Sequence, residues 1–294
     1  MISIPVYNEQ NNIGDLLGVL EKTRADQRIE KICIVSSSTD QTDNIVREHS
    51  VVDDRIELLE EGKRRGKASA WNTLIRYAED EGFDTMVYLG GDNLPQQDGI
   101  SLLLDQLERG FGIVGARPVP LNSTQDFLGW HVNLLWNIHH YVSRDIRPKV
   151  SGEMCAFKVG VSREMPLGLI NDDTYLQRLF ELRGFRVGYV EDARVLLRGP
   201  STLSELIRQR RRVYIGHHQI RAYTGQKPST IWYKNLFLLR KALPETGLRH
   251  MVYLILSCFI EGVLYLVAKF DFYSGNLPYR WSMAATTKSL KYGI

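Results

Sequence analysis

The chain has 294 residues, of which 44% are hydrophobic and 24% charged, and its formal net charge is +3. This length suits one α/β catalytic domain with an added segment, and this composition supports a packed core and excludes a disordered chain. The basic residues gather at 63–67 and 208–212, which favours a local anion such as a pyrophosphate or lipid phosphate and excludes a broad nucleic-acid surface.

The first half of the chain alternates short apolar runs with amphipathic stretches, a pattern that predicts βαβ units and a mainly parallel sheet. Strands are predicted at residues 2–6, 31–35, 55–59, 85–89 and 112–116. Helices are predicted at residues 11–22, 44–48, 67–81, 102–107, 127–142 and 175–183. The helix at 127–142 is rich in Trp, His and Tyr, and it is interpreted either as a core helix or as a segment lying near a membrane or an acceptor.

The C-terminal third contains a candidate membrane segment. Residues 251–268 are apolar apart from Glu261 and approach the length that spans a bilayer. Residues 231–243 mix Trp, Tyr, Lys and Arg with leucines, as interfacial helices do. Because a carboxylate is costly in lipid, a helical hairpin docked on or in a membrane is favoured over complete spanning. The alternative is a soluble hairpin that covers the sheet.

The spacing of the cysteines and the first residues of the chain indicate the cellular compartment of the protein. The three cysteines lie far apart among apolar residues, which indicates buried thiols and neither a disulfide framework nor a zinc site. The chain opens directly on a strand-like run, without a leader pattern. The catalytic part is therefore expected in the cytosol.

Polar groups follow several of the predicted strands, where an open α/β sheet binds its ligands. Tyr7 and Glu9 offer a ring to stack on a nucleobase and a carboxylate to bind it, although such residues also cap helices. Residues 36–40 form a hydroxyl-rich turn that at least in part caps a helix. Lys67 opens a helix after Gly66 and suits a diphosphate, but the Walker A spacing is missing and a P-loop NTPase is disfavoured.

Three further groups carry acidic or basic side chains. Asp92 follows two glycines and suits a hard divalent cation that bridges two phosphates, with a plain turn as the alternative. Asp172 and Asp173 precede a predicted helix, and they either cap it or include a base that deprotonates an acceptor hydroxyl. Residues 209–213 offer an amide and a cationic cluster that could form part of a site. The alternative interpretation of this cluster is a solvated or lipid-facing surface.

Taken in order, these motifs resemble glycosyltransferase family 2, the inverting enzymes with the GT-A fold, over about residues 2–219. The matching segments are IPVYNE, SSSTDQT, GKASAWN, YLGGDNLP and DDTYLQRLFELRGFRVGYVEDA. Gln209-x-x-Arg212-Val213 is similar to the Gln-x-x-Arg-Trp signature of the cellulose-synthase-like branch. Within that branch the resemblance is to small archaeal membrane mannosyltransferases. It implies an α/β, Rossmann-like GT-A domain at residues 1–222 and a C-terminal membrane-associated helical hairpin at 223–294.

The resemblance also implies a role for each matching residue. Asp173 stands at the position of the catalytic base. The nucleotide-binding positions are Pro5, Tyr7, Glu9, Ser36, Lys67 and Asp92. The acceptor or diphosphate side is formed by Gly152, Asp172, Gln209 and Arg212. The cofactor is Mn²⁺ or Mg²⁺ on Asp92, with Asn93 or a histidine such as His217 among the further donors.

Three positions depart from the family pattern. Ser36 replaces an acidic residue that contacts the base in several members, so the choice between uracil and guanine stays open. Gly90 replaces the first Asp of the metal motif, which leaves Asp92 as the main carboxylate ligand. Val213 replaces the usual Trp and weakens any claim of processive polymer synthesis.

The expected function is that of an inverting, metal-dependent glycosyltransferase that moves a single hexose from a nucleotide-sugar to a lipid-linked polyprenyl or dolichyl glycan. Mannose from GDP-mannose is the favoured donor, with a UDP-sugar as the alternative, and N-glycan biosynthesis is one setting for such an acceptor. The expected location is the cell membrane, with the catalytic domain facing the cytoplasm and no nucleic-acid partner. The alternatives are a sugar-phosphate nucleotidyltransferase and a catalytically inactive membrane scaffold.

Overall fold

A computed structural model describes residues 1–96, 98–161, 164–225, 236–278 and 285–288. Its strands are β1 (Ile2–Val6), β2 (Ile32–Ser36), β3 (Ile56–Glu60), β4 (Thr85–Leu89), β5 (Leu94–Pro95), β6 (Ile113–Pro120), β7 (Met154–Lys158) and β8 (Val187–Leu197). Its α-helices are α1 (Ile13–Glu21), α2 (Thr42–Val52), α3 (Lys67–Asp80), α4 (Gly99–Glu108), α5 (Phe127–Asp145), α6 (Asp172–Leu182), α7 (Leu203–Thr224), α8 (Leu236–Ala242) and α9 (Leu248–Tyr273). Short 3₁₀ turns lie at Lys22–Ala25 and Ala285–Thr287.

The strands form one sheet in the order β3-β2-β1-β4-β7-β6-β8-β5. The half from β3 to β4 is parallel throughout. In the other half β7 runs antiparallel to both neighbours, β6 and β8 are parallel, and β5 pairs antiparallel with β8. The predicted α/β class with a Rossmann-like sheet is confirmed, and the sheet is more mixed than the βαβ pattern alone indicates.

Helices cover both faces of the sheet, which is why the central strands are apolar on both sides. On one face α1 and α4 pack with Ile2, Ile4 and Leu89 in a continuous core. On the other face α3 and α6 pack against Cys33 and Tyr88. The ring of Tyr88 stacks on Trp71 of α3 with centroids 4.1 Å apart. This second core lies directly beneath the polar residues at the carboxyl ends of β1 and β4.

The predicted strands and helices are present, with ends that differ by a few residues. The apolar pattern did not indicate β5, β7, β8 or α7. The predicted domain boundary between residues 222 and 223 falls in the last turn of α7, and the division into two domains stays a prediction.

The predicted C-terminal hairpin is formed by α8 and α9, although residues 231–235 of its first helix lie outside the described residues. These helices pack on α5 and α7. By length and composition alone, α9 is long and apolar enough to cross a membrane. Its buried side chains recur every three or four positions and include three polar ones: Ser257, Glu261, Leu264, Ala268 and Asp271. Most of its outward side chains are apolar, with Ile255 66% and Phe259 69% exposed.

The polar residues of α9 are bound by the rest of the protein. The Arg210 guanidinium donates to both oxygens of Glu261 at 2.6–3.0 Å. The Tyr214 hydroxyl donates to the same carboxylate, and His131 Nε2 lies 3.1 Å from it. A surface helix of a soluble protein has its apolar side inward, whereas α9 turns its carboxylate inward and its apolar side outward.

Candidate active site

A cavity of about 540 Å³ opens at the carboxyl ends of β1 and β4, the edge at which an open α/β sheet binds ligands. Every site residue predicted from the sequence lines this cavity except Ser36. They come from β1, α3, the turn after β4, the loop before β7, and helices α6 and α7. The fold therefore brings together motifs that lie more than 200 residues apart in the sequence.

Asp172 and Asp173 begin α6 and face different partners. Asp172 is buried, lies 2.9 Å from the ammonium group of Lys67 and accepts a hydrogen bond from the indole N–H of Trp71. Asp173 accepts from the backbone N–H of Gly152 at 3.0 Å and from that of Thr174 at 2.6 Å. Burial and then the neighbouring Asp172 carboxylate raise the pKa of Asp173 above its ordinary value. A carboxylate with a raised pKa is a stronger proton acceptor.

Lys67 is the first residue of α3, at the positive end of the helix dipole. Burial lowers the pKa of its ammonium group, but Asp172, Tyr88 and Asp173 together outweigh that effect and raise the pKa well above its ordinary value. A Cβ at position 152 would lie 2.9 Å from the Lys67 Nζ atom. Gly152 therefore leaves room for a fixed cation beside Asp173.

One end of the cavity is formed by Tyr7 and Glu9 after β1. The Arg64 guanidinium lies 3.7 Å from the centroid of the Tyr7 ring, a cation–π contact. Glu9 is buried and ion-pairs with Lys288, whose ammonium group also donates to the Tyr7 carbonyl at 3.2 Å. Burial and then Asp92 raise the pKa of Glu9 to about 7, against the lowering effect of Lys288.

Ser36 lies beneath this end and not on the cavity wall. Its hydroxyl donates to the Asp43 carboxylate and lies 2.9 Å from the Ser38 hydroxyl. The next residue, Ser37, lines the cavity instead. The side chain at position 36 thus braces the turn after β2.

The turn after β4 carries the candidate metal ligand Asp92. The Gly90 N–H donates to the Glu153 carbonyl at 3.0 Å, and the Asn93 side-chain amide donates to the same oxygen at 3.3 Å. A Cβ at position 91 would lie 2.7 Å from a methyl carbon of Val6, so the glycine lets the turn approach β1 closely.

Carboxylate and amide oxygens fit a hard divalent cation. Asp92, Asn93 and Glu153 share this cavity wall. In the described part of the chain, no three His, Cys, Asp or Glu side chains converge as a metal cluster. A cation here would therefore complete its coordination with oxygens of a bound diphosphate.

Another part of the cavity wall is formed by α7 and α5. Gln209, Arg212 and His217 of α7 line the cavity. Burial lowers the pKa of Arg212 to about 9, and burial followed by Lys149 lowers the pKa of His217 to about 3. Trp136 and its apolar neighbours on α5 complete the wall. The helix at 127–142 thus contributes both to the core, through its other face, and to the cavity.

The sequence profile described as glycosyl transferase family 2 matches residues 1–165. The chain belongs to this family. Over 121 residues this transferase is 32% identical to glycosyltransferase AglE from Haloferax volcanii, a match that covers 41% of the chain and 36% of that relative. The matched region therefore spans about a third of the relative's length.

Three solved structures show the same fold in other transferases. The mannosyltransferase PcManGT from Pyrobaculum calidifontis, solved with GDP-Man and Mn²⁺, has a TM-score of 0.63 at 20% identity, covering 92% of this chain and 86% of that one. Mannosyl-3-phosphoglycerate synthase from Rubrobacter xylanophilus has a TM-score of 0.54 at 15% identity, covering 78% and 75%. Glucosyl-3-phosphoglycerate synthase from Mycobacterium tuberculosis, solved with Mn²⁺ and UDP-Glc, has a TM-score of 0.52 at 17% identity, covering 78% and 79%. The predicted family, GT-A fold and transferase class are thereby confirmed.

Three cavity residues of this family 2 transferase were not indicated by any motif. Lys288 reaches Glu9 from a position 279 residues later in the sequence. Lys149 is buried in the loop before β7, and burial lowers its pKa to about 8. Burial and then Asp173 raise the pKa of Glu153 to about 8. An isolated Glu or Lys beside an apolar run gives no local signal of such a position.

Proposed function

We propose that this family 2 transferase is an inverting, metal-dependent enzyme that moves one hexose from a nucleotide-sugar to a lipid-linked acceptor. The observation that carries the proposal is the common cavity of Asp173, Lys67 and Asp92. It places a proton acceptor, a fixed cation and a metal-binding carboxylate around one space. Each of the three is what sugar transfer from a nucleoside diphosphate requires.

In the proposed reaction Asp173 accepts the proton of an acceptor hydroxyl. The hydroxyl oxygen attacks the anomeric carbon from the face opposite the diphosphate, forming the new C–O bond as the bond to the diphosphate breaks. Because this is a single displacement, the anomeric configuration inverts. Hydrogen bonds from Gly152 and Thr174 hold Asp173 in place, and Asp172 holds Lys67 beside the leaving group.

Two groups would neutralise the negative charge of the leaving nucleoside diphosphate. Lys67 and the N-terminus of α3 provide fixed positive charge. A Mn²⁺ or Mg²⁺ ion held by Asp92 would supply further charge neutralisation, with Asn93 or His217 as additional donors. Gln209 and Arg212 are assigned to the acceptor or diphosphate side, and Pro5, Tyr7 and Glu9 to the nucleotide.

The favoured donor is GDP-mannose, with a UDP-sugar as the alternative. PcManGT, which shares the fold over most of this chain, was solved with GDP-Man, and the M. tuberculosis synthase with UDP-Glc. Ser36 does not supply the acidic group that contacts the base in several family members, so discrimination between bases is assigned to the wall around Tyr7 and Ser37.

A lipid-linked acceptor is supported by two apolar surfaces. One is the α5 wall of the cavity, where Trp136 lies. The other is the outer face of α9, where exposed Ile255 and Phe259 leave the protein with an apolar surface that lipid can cover. We assign the enzyme to the cell membrane, with α9 lying along the bilayer surface and the catalytic domain facing the cytoplasm. A polyprenyl or dolichyl glycan suits this arrangement.

Donor binding and hydrolysis by the protein in mild detergent test the proposal. A panel of GDP- and UDP-sugars is supplied with and without Mn²⁺, and the released nucleotide is identified. We expect metal-dependent release of one nucleoside diphosphate. Release of pyrophosphate would identify a nucleotidyltransferase, and no turnover by folded protein would identify a scaffold.

The base assignment has its own test. Asp173→Asn should fold and bind donor but lose transfer, whereas Asp80→Asn, an exposed change in α3, should behave as the wild type. Turnover by Asp173→Asn at the wild-type rate would refute the assignment of the base.

A further inference from the structure

Position 90, which holds the first Asp of the metal motif in the family, is a glycine here. It lies directly across from Glu153: β4 and β7 pair antiparallel with Leu89 opposite Met154, and the Gly90 N–H donates to the Glu153 carbonyl at 3.0 Å. Residues opposite each other in an antiparallel pair project to the same face, with Cβ atoms about 4.5–5.5 Å apart. The Glu153 side chain therefore starts beside the space that a side chain at position 90 would enter.

Asn93 occupies that space. A Cβ on Gly90 would lie 2.3 Å from the Asn93 side-chain nitrogen and 3.2 Å from a carboxylate oxygen of Asp92. The backbone of Gly90 is not the obstacle, because its φ is outside the left-handed range that favours glycine. The same Asn93 amide donates to the Glu153 carbonyl at 3.3 Å, which ties the Asp92 turn to β7.

The charges at this turn also point to a cation. Asp92 and Glu153 both line the cavity beside this turn. Two ionised carboxylates there would repel each other, and a divalent cation between them would attract both.

We infer that Glu153 supplies the carboxylate that position 90 lacks, so that Asp92 and Glu153 together hold the divalent cation. This inference rests on the proposed metal-dependent transferase function. It moves the second carboxylate from the turn after β4 to the residue that immediately precedes β7. Among the described residues no third His, Cys, Asp or Glu completes a metal cluster, so the remaining ligands would be diphosphate oxygens, water or the Asn93 side-chain oxygen.

Mn²⁺ binding tests the inference without relying on turnover. Free Mn²⁺ is measured by electron paramagnetic resonance in the presence of GDP or UDP, for folded wild type, Asp92→Asn, Glu153→Gln and Glu61→Gln. Glu61 lines the same cavity away from the turn, so its change removes one charge without removing a ligand. We expect Glu153→Gln to weaken Mn²⁺ binding by about 10-fold or more, the range over which even outer-shell partners act. Glu61→Gln should stay within about twofold of the wild type.

Relocating the carboxylate provides a rescue. Gly90→Asp combined with Asn93→Ala, added to Glu153→Gln, should restore most of the lost affinity, and Asn93→Ala alone serves as the control. Wild-type binding by Glu153→Gln, with loss in Asp92→Asn, would overturn the inference and leave the proposed function standing. If the wild type bound no Mn²⁺ with either nucleotide, the proposed metal dependence would fail as well.

Discussion

Replacing Glu261 with Gln should destabilise the protein, because it breaks the buried ion pair between α9 and α7. Glu261 is 4% exposed and accepts three hydrogen bonds from Arg210 at 2.6, 2.9 and 3.0 Å. Removing one partner of a buried pair costs about 3–5 kcal/mol, since the other charge is left uncompensated. Gln keeps one acceptor oxygen, which places the expected loss near 3 kcal/mol. At about 2–4 °C per kcal/mol, the midpoint should fall by about 6–12 °C.

Thermal unfolding followed by circular dichroism in one detergent measures this effect. Glu261→Leu combined with Arg210→Met should recover most of the stability, because replacing a whole buried pair by apolar side chains is often neutral. The double-mutant cycle then reports the coupling between the two positions. A midpoint for Glu261→Gln within about 2 °C of the wild type, less than 1 kcal/mol on this scale, would refute the reasoning. It would mean that this ion pair does not hold α9 on α7. That result would be expected if α9 crossed a bilayer separately from the catalytic domain.

Four further outcomes are expected. Burial and Asp172 raise the pKa of Asp173, and the base must be unprotonated to act. We therefore expect kcat/KM to fall as the pH drops through a value above the ordinary Asp pKa. A kcat/KM that stays unchanged down to about pH 4 would contradict this. Ile255→Lys with Phe259→Lys should preserve the fold but weaken liposome binding by at least about 100-fold, since the two side chains together contribute about 3–6 kcal/mol when buried in lipid. Flotation equal to that of the wild type would exclude α9 from the lipid contact. Gly115→Ala should destabilise by about 1–3 kcal/mol, because its Cβ would lie 2.6 Å from a backbone carbonyl oxygen. Gly18→Ala, with nothing within 4 Å, should stabilise α1 by about 0.5–1 kcal/mol in the same unfolding assay.

The parallel half of the sheet was predictable because its signals are local. The strands β1, β2 and β4 are short apolar runs, and each is followed at once by a polar turn. The strand β7 was missed because it is defined by its pairing with β4 and β6. The residues of these two strands that pair with β7 lie at least forty positions away in the sequence. The helix α7 was missed because its run of basic residues interrupts the helical spacing of apolar side chains. Two of its arginines are neutralised by carboxylates of α9.

The residues of the candidate site likewise divide into those that a local sequence pattern indicates and those that it does not. Asp92, Lys67 and Asp173 each sit in a local motif beside a strand end or a helix start, so the sequence indicates them. Glu153 and Lys288 do not, because the first depends on strand register and the second on a contact across almost the whole chain. The α/β class and the order of motifs were therefore readable, and the facing residues that complete the cavity required the structure.

The inward carboxylate of α9 has an evolutionary consequence. The outer face of this helix can drift among apolar residues, since side chains such as Ile255 and Phe259 are largely exposed. Glu261 and Arg210 are tied to each other, because either one alone is a buried charge without its counter-charge. Lineages descended from a common ancestor should therefore keep both residues or replace both, and those that replace both are the ones in which this helix became free to leave the catalytic domain.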